Sequence, residues 1–423
     1  MSVDSSQPIE HLYKDFMTHP YEILERFRAK GRAHPVVFPH GAKVWLVTSY
    51  DDVRQLLGDP RVSKDGSRMN ELFARHSGME VEEEEDATDL FNDELSQHML
   101  NSDAPRHTRL RSLVSKEFNP KRMDGYRPRL EVVADNLLDA MENEHGVVEL
   151  VGAYTLPLPI ITICDLLGVS PEEEATFRRW AVELVGAGHP PEVVEKASQD
   201  VMAYARTSID TKLVEPGEDM ISALLKGKDD GDRLTLDEMV GMFFLFMIAG
   251  HVTSMHTLTN SIFHLLTHPE ELAKLRADLS LMPGAVDELM RFDGGVGVAT
   301  FRFTKEPVQV GDVTIPADEI LALSVNSAHR DANRYPDPDR LDVTRHPTGI
   351  LGFGFGPHYC IGAPLAKIQL EVSLTKLLTR FPNMELAADP DSLAWEESTL
   401  LRGLIDLPVY LHGKNGENGK KSD

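Results

Sequence analysis

The chain has 423 residues, 41% hydrophobic and 26% charged, proportions that exclude a disordered or collagen-like polymer and leave room for one large globular unit. Its net charge of −25, from 43 basic and 68 acidic residues, opposes general attraction to phosphates and argues against a nucleic-acid or membrane-surface partner. Only two cysteines are present, Cys164 and Cys360, so a disulfide framework is disfavoured and each thiol needs its own explanation.

The first residues, MSVDSSQPIEHLYKDF, carry neither the basic start nor the apolar run of a secretory signal, and a cytoplasmic protein is expected. Val44–Val47 predicts a strand, and the acidic run Glu80–Asp86 a loop with nothing to bury. Pro105–Arg129 runs against the overall charge, with a row of Arg and Lys against only Glu117 and Asp124, a surface suited to an acidic partner. Within it His107 and Arg111 share one helical face at i, i+4, which alone reads as a solvated basic helix. Cys164, in the apolar pattern LPIITICDLLGV, reads as a small core residue.

Ser170-Pro171-Glu172-Glu173 and Thr235-Leu236-Asp237-Glu238 place cap residues before acidic first turns. From Thr235 to Thr267 a helical pattern runs without proline until Pro269. Its first half is apolar all round, which predicts a helix crossing the centre of a large protein, while the most apolar stretch, Met239–Ala249, is too short to span a bilayer. Gly250 costs about 1 kcal/mol against alanine in a helix interior and invites a reason. It stands just before Thr253, the first hydroxyl after the apolar run. His256 and His264 lack a further metal-ligand partner at useful spacing and read as satisfied or solvated.

Glu288 and Arg291 set opposite charges at i, i+3, by itself an ordinary surface pair. Val308–Val310 and Val313–Ile315 flank Gly311-Asp312 as a hairpin, and Ile320–Val325 follows as a strand. The most specific string is Phe353-Gly354-Phe355-Gly356-Pro357-His358-Tyr359-Cys360-Ile361-Gly362, ahead of a helical pattern over Ala363–Phe381. Glycines allow a backbone to approach a flat cofactor, and a helix N-terminus behind a thiol favours the thiolate. From Gly413 the chain has almost nothing to bury. The expected organisation is one mainly α unit with a small β region, residues 1–412, and a disordered tail, residues 413–423.

The cysteine string resembles the F-G-x-G-x-H-x-C-x-G haem-binding loop of the cytochrome P-450 superfamily, matching it at every fixed position. The resemblance implies a single fold with a b-type haem between the long central helix and the cysteine loop. Cys360 would be the axial thiolate ligand, favouring O–O cleavage by donation to iron, and His358 would face a propionate. Three further stretches fit in order. Glu288, Arg291 and Arg340 resemble the family's buried Glu-Arg-Arg cluster. His107, Arg111 and Arg302 match its propionate partners. Ala249-Gly250-His251-Val252-Thr253 resembles A-G-x-[D/E]-T, in which small residues leave room for oxygen and the acid-alcohol pair relays protons; Val252 stands where the acid belongs, which puts ordinary proton delivery in doubt. Substrate contacts are implied for the Leu72–Met99 loop, the Leu184–His189 segment, Phe246, Ala249, Val296 to Ala299 with Val296 and Val298, and Leu400 and Leu401.

The implied activity is insertion of one atom of O2 into a medium-sized apolar molecule, natural-product or steroid-like. Electrons would come from ferredoxin and its reductase, since the chain carries no flavin or iron–sulfur pattern of its own. The alternatives are peroxide-driven or reductase-type haem-thiolate chemistry, suggested by Val252, and a non-catalytic haem or small-molecule binding protein.

Overall fold

The computed structural model of the chain describes residues 9–76, 95–144, 146–185, 190–227 and 231–414. The acidic run Glu80–Asp86, residues 77–94 of the expected substrate loop, residues 186–189 of the Leu184–His189 segment and residues 415–423 of the expected tail lie outside the described residues.

Helices dominate and gather around the predicted central one, Leu236–Thr267. Its start is set by a capping box: Thr235 Oγ1 accepts from the Glu238 N–H at 3.2 Å while Glu238 Oε2 accepts from the Thr235 N–H at 2.9 Å. The all-round apolar pattern from Met239 to Met247 is matched by protein on every side, and Pro157–Leu167, Pro191–Val214, Met282–Asp293 and Ala363–Arg380 all pack against this helix. It is the one helix among the described residues long and apolar enough to cross a membrane, and 67% of its most apolar window is buried inside the protein. Gly250 marks the closest crossing. A Cβ there would stand 2.3 Å from Ile163 Cδ1, so even alanine would force the Ile163 side chain of the Pro157–Leu167 helix to shift. Cys164, on that same helix, is fully buried, and burial pushes its thiol up to about 12.

The small β region is a six-stranded sheet and two lesser ones. Lys43–Val47 pairs in parallel with Ile320–Leu323, Trp45 opposite Leu321. Arg302–Thr304 runs antiparallel beside Ile320–Leu323, and Val62–Ser63 closes that edge with Ser63 opposite Phe303. The expected hairpin forms, with Gly311 at φ +60° in its turn. The strand expected to reach Val325 stops at Leu323 because Ser324 caps the next helix, its Oγ accepting from the Ser327 N–H at 3.2 Å.

Buried histidines outside the cysteine loop are held neutral, among them His251, His256 and His329. Burial lowers His251 and His256 to about 4 and His329 to about 3, and His329 Nε2 accepts the Leu351 N–H at 2.7 Å. Their folded pKa values lie below the ordinary 6.5, so the unfolded chain binds protons first as pH falls. Each then removes about 1.4 kcal/mol of stability per pH unit. Guanidinium unfolding followed from pH 7.5 to pH 4.5 is therefore expected to show a midpoint that is flat above about pH 6.5 and falls steadily below it; a midpoint unchanged down to pH 5 would contradict the neutral assignment.

Candidate functional site

The cysteine loop is shaped by its own backbone. The Cys360 N–H donates to the Phe353 carbonyl at 2.8 Å and the Gly354 N–H to Leu351 at 2.8 Å, closing a hairpin-like turn under the thiol. Gly356 takes φ +77°, and a Cβ on it would lie 2.9 Å from Gly58 Cα, so the loop seats against the Tyr50–Gly58 helix only with glycine there. The helix Ala363–Arg380 begins immediately after it.

Between this loop and the central helix lies an apolar cavity of about 290 Å³, lined by Cys360, Phe353 and Gly362 from the loop and by Phe246, Ala249, Gly250 and Thr253 from the helix. Burial raises the Cys360 thiol, opposed by the N–H groups of Gly362 and Ala363 and by the charge of Arg111. Thr253 Oγ1 donates to the Ala249 carbonyl at 3.1 Å, while Ser254 and Thr257 continue a row of hydroxyls along the cavity.

His107, Arg111, Arg302 and His358 also line this cavity. His107 and Arg111 share one face of Arg106–Val114, as their spacing predicted, and Arg109 on the other face binds Glu238 at 2.8 Å, tying that helix to the start of the central one. The His107 and His358 rings stack obliquely with centroids 4.1 Å apart. Arg111 Nη2 donates to the Tyr359 carbonyl at 2.6 Å and Arg302 Nη1 to the Thr300 carbonyl at 2.6 Å. Among the described residues neither guanidinium has a carboxylate within 4.0 Å, and His107 Nε2 is buried without a partner. Burial, then the charges of Lys64 and His107, hold His358 down to about 2, and burial lowers Arg302 to about 10. Arg302 is a buried cation and Arg111 a half-buried one, neither with an anion, an arrangement that is costly unless an anion enters. A flat porphyrin with two carboxylates and an iron needing a soft ligand fits these residues.

Two expectations about this region fail. Arg340 is not the third member of the Glu288–Arg291 cluster. Its guanidinium is exposed and pairs with Asp342 at 3.0 Å, whereas Arg345 Nε reaches Glu288 Oε1 at 3.1 Å. The cause is the turn in which the Arg345 N–H bonds to the Asp342 carbonyl at 2.9 Å, folding Arg345 back; Arg340 contributes its carbonyl, which accepts from Arg291 at 3.3 Å. Glu288 and Arg291 themselves are fully buried and joined by two hydrogen bonds of 2.7 and 2.8 Å.

Of the expected pocket residues, Phe246, Ala249, Val296 and Ala299 line the cavity, but Val298, Leu400 and Leu401 do not. The extended segment changes partner at Gly297, from Leu401 opposite Val296 to Ser324 opposite Val298. Val298 therefore turns into the core with Leu12, Phe16 and Phe38, Leu400 packs on that same core, and Leu401 faces a separate small void. Met99, at the end of the expected Leu72–Met99 loop, lines the cavity, while sequence reasoning missed Leu100, Phe118 and Gln369, which also line it. His264 Nε2 bonds Asp293 Oδ2 at 2.9 Å while its Nδ1 is buried without a partner, and His256 is buried with Nδ1 unpartnered, its ring pressed on Gly403, which differs from the satisfied or solvated state expected.

Residues 192–403 match the family model for cytochrome P450. The chain is 41% identical over 400 residues to the cytochrome P450 monooxygenase PikC of Streptomyces venezuelae, covering 94% of this chain and 92% of that protein. It is 38% identical over 398 residues to the vitamin D(3) 25-hydroxylase of Pseudonocardia autotrophica, covering 94% of each. The solved structure of the tirandamycin C-bound P450 monooxygenase TamI superposes with a TM-score of 0.85 at 40% identity, covering 96% of this chain and 100% of that one.

The cluster yields a direct comparison. Arg345→Ala should cost about 3 kcal/mol by leaving the buried Glu288 carboxylate short of a partner, and Arg340→Ala about 0.5 kcal/mol or less. Chemical denaturation of the two variants checks the order; equal losses would restore Arg340 to the cluster.

Proposed function

Because the chain belongs to the cytochrome P450 family, whose members bind haem b and act as monooxygenases, we propose that Cys360 is its axial thiolate and that it oxidises a medium-sized apolar natural product or steroid-like molecule. The observation that carries this reading is the convergence of one thiol, two guanidinium groups without a carboxylate partner among the described residues and two imidazoles on a single apolar cavity. Its kinship with monooxygenases and hydroxylases sets aside a purely binding role.

When bound, the haem supplies activation of O2 at iron. The residues do the rest. Arg111 and Arg302 neutralise the propionates, and His107 and His358 hydrogen-bond to them. Phe246, Ala249, Val296 and Ala299 keep the cavity dry and orient the substrate. Thr253 Oγ1 carries the proton closest to the reacting face, now held against Ala249, and Ser254 and Thr257 extend its hydroxyl row in place of an acid. A relative named for vitamin D(3) and a neighbour solved with tirandamycin C support the substrate class.

Electrons come from a ferredoxin and its reductase. The basic stretch is a weaker landing surface than its sequence suggested, since Arg109, Arg122, Arg127 and Arg129 are engaged by Glu238, Glu117, Glu371 and Asp165. The exposed Lys116 and Lys121 remain as its candidates for an acidic partner.

Val252, buried at the position of the acid, favours peroxide-driven turnover as a second reading, because valine can neither donate nor accept a proton. The purified protein should hold one haem and give the red-shifted ferrous-carbonyl band of thiolate ligation, lost in Cys360→Ser. A library of apolar natural products scored by haem spin-state shift and then by product identifies the substrate. With that substrate and a ferredoxin system, Thr253→Ala should divert electrons into released hydrogen peroxide. Product formed only on adding peroxide would select the second reading, and unchanged coupling in Thr253→Ala would remove the proton role of Thr253.

A further inference from the structure

Lys64 lies just past the short strand Val62–Ser63, and no motif pointed to it. Its surroundings are unusual for a lysine. The residue is 5% exposed, and its ammonium has one hydrogen-bond partner among the described residues, Thr300 Oγ1 at 2.6 Å. The antiparallel ladder pairs Val62 with Thr304 and Ser63 with Phe303 and ends there, which leaves Lys64 near Arg302, whose like charge acts on it. Both cations end on one residue: Arg302 Nη1 donates to the Thr300 carbonyl and Lys64 Nζ to the Thr300 hydroxyl, and Thr300 lines the cavity.

The charge of Asp103 acts on Lys64 only in part, because its carboxylate makes no ion pair with the ammonium and is held by other donors. Asp103 accepts from Ser63 Oγ at 2.6 Å and from the Lys64 backbone N–H at 3.1 Å, and its own carbonyl accepts the His107 N–H at 2.8 Å. One residue thereby fixes Lys64 and His107 in a common frame, His107 lining the cavity and Lys64 reaching Thr300, which lines it. His98, buried with Nδ1 unpartnered, adds another base to the same neighbourhood rather than an anion.

We propose that Lys64 binds a haem propionate together with Arg302, across Thr300, as a further cofactor-binding residue. This rests on the haem reading above. Burying an ammonium near a guanidinium is sustainable when a carboxylate enters between them, and the Thr300 hydroxyl then shares the ammonium with that carboxylate. Burial, followed by the charge of Arg302, lowers the Lys64 ammonium well below its ordinary range, with the charge of Asp103 opposing.

The test uses the haem-loaded full chain with Lys64→Met, which keeps the stem and removes the charge, and Lys64→Arg, which keeps the charge. Transfer of haem to excess apomyoglobin should be faster on the order of ten-fold in Lys64→Met, the worth of one charge-assisted hydrogen bond. Its iron reduction potential should fall, because losing a nearby positive charge favours the ferric state. Lys64→Arg should restore both. A lowered thermal midpoint in Lys64→Met with haem transfer and potential unmoved would make Lys64 merely structural and overturn the proposal. A substrate carboxylate is the rival source of the anion, and spin-state titration with myristic acid and its methyl ester separates the two. A preference for the acid that Lys64→Met abolishes while haem transfer stays at the wild-type rate overturns the propionate assignment; unchanged titrations with faster transfer support it. If the wild-type chain holds no haem at all, the proposed function itself falls, which is a different result from a wild-type-like Lys64→Met.

Discussion

Two guanidinium groups, Arg111 and Arg302, and two imidazoles, His107 and His358, face one apolar cavity without a carboxylate within reach, and the thiol of Cys360 opens into the same space. Much of the architecture exists to hold this arrangement together. The sheet carries Arg302 and, through its edge strand, Lys64. The Arg106–Val114 helix carries His107 and Arg111 and is anchored to the capping box of the central helix by Arg109. The cysteine loop brings His358 against His107 and is pulled toward the same helix by the Arg111 bond to Tyr359. Separate elements thus bring two guanidinium charges to one apolar cavity, a cost that an incoming anion offsets.

Buried polar knots on either side of the cavity keep these elements in register. Below it, Glu288 accepts from Arg291, Arg345 and the Asp342 N–H, joining a helix to the irregular segment that precedes the cysteine loop. Beside it, Asp293 accepts from Tyr21, from His264 at 2.9 Å and from Arg402 at 3.3 Å. Arg402 in turn gives its N–H to Gly295 at 3.1 Å, so the end of the Met282–Asp293 helix, the Val296 segment and the Leu400–Arg402 segment are set relative to the central helix by one carboxylate. Removing one partner from such a knot leaves a buried charge unpaired, which is why these positions act on the cavity without touching it.

The features legible in the sequence were those whose physics is local. A thiol between glycines and a helix start, a capping box ahead of an apolar run, and an i, i+4 pair on one face are all decided within ten or so residues, and each stands where it was expected. The failures lie where tertiary geometry decides. Arg345 displaced Arg340 through a turn that no spacing rule reveals. Val298, Leu400 and Leu401 turned away from the cavity because an extended segment exchanged one partner for another at Gly297. Lys64 went unnoticed because only the strand register brings it beside Arg302, a residue far along the chain. Gly250 sits where a motif placed it, yet its side of the helix is filled by Ile163, so close helix crossing is a reason for the glycine alongside access to the cavity.

The central claim is that the sulfur facing the charged cavity bonds the iron. With only two cysteines in the chain, the thiol can be identified directly by resonance Raman spectroscopy of the ferric protein grown with heavy-sulfur cysteine. The account predicts an iron–sulfur stretching band that shifts on labelling and persists at full strength in Cys164→Ala, whose thiol is buried in the core away from the cavity. A ferric spectrum without a sulfur-sensitive band, or one whose band disappears in Cys164→Ala, would contradict it.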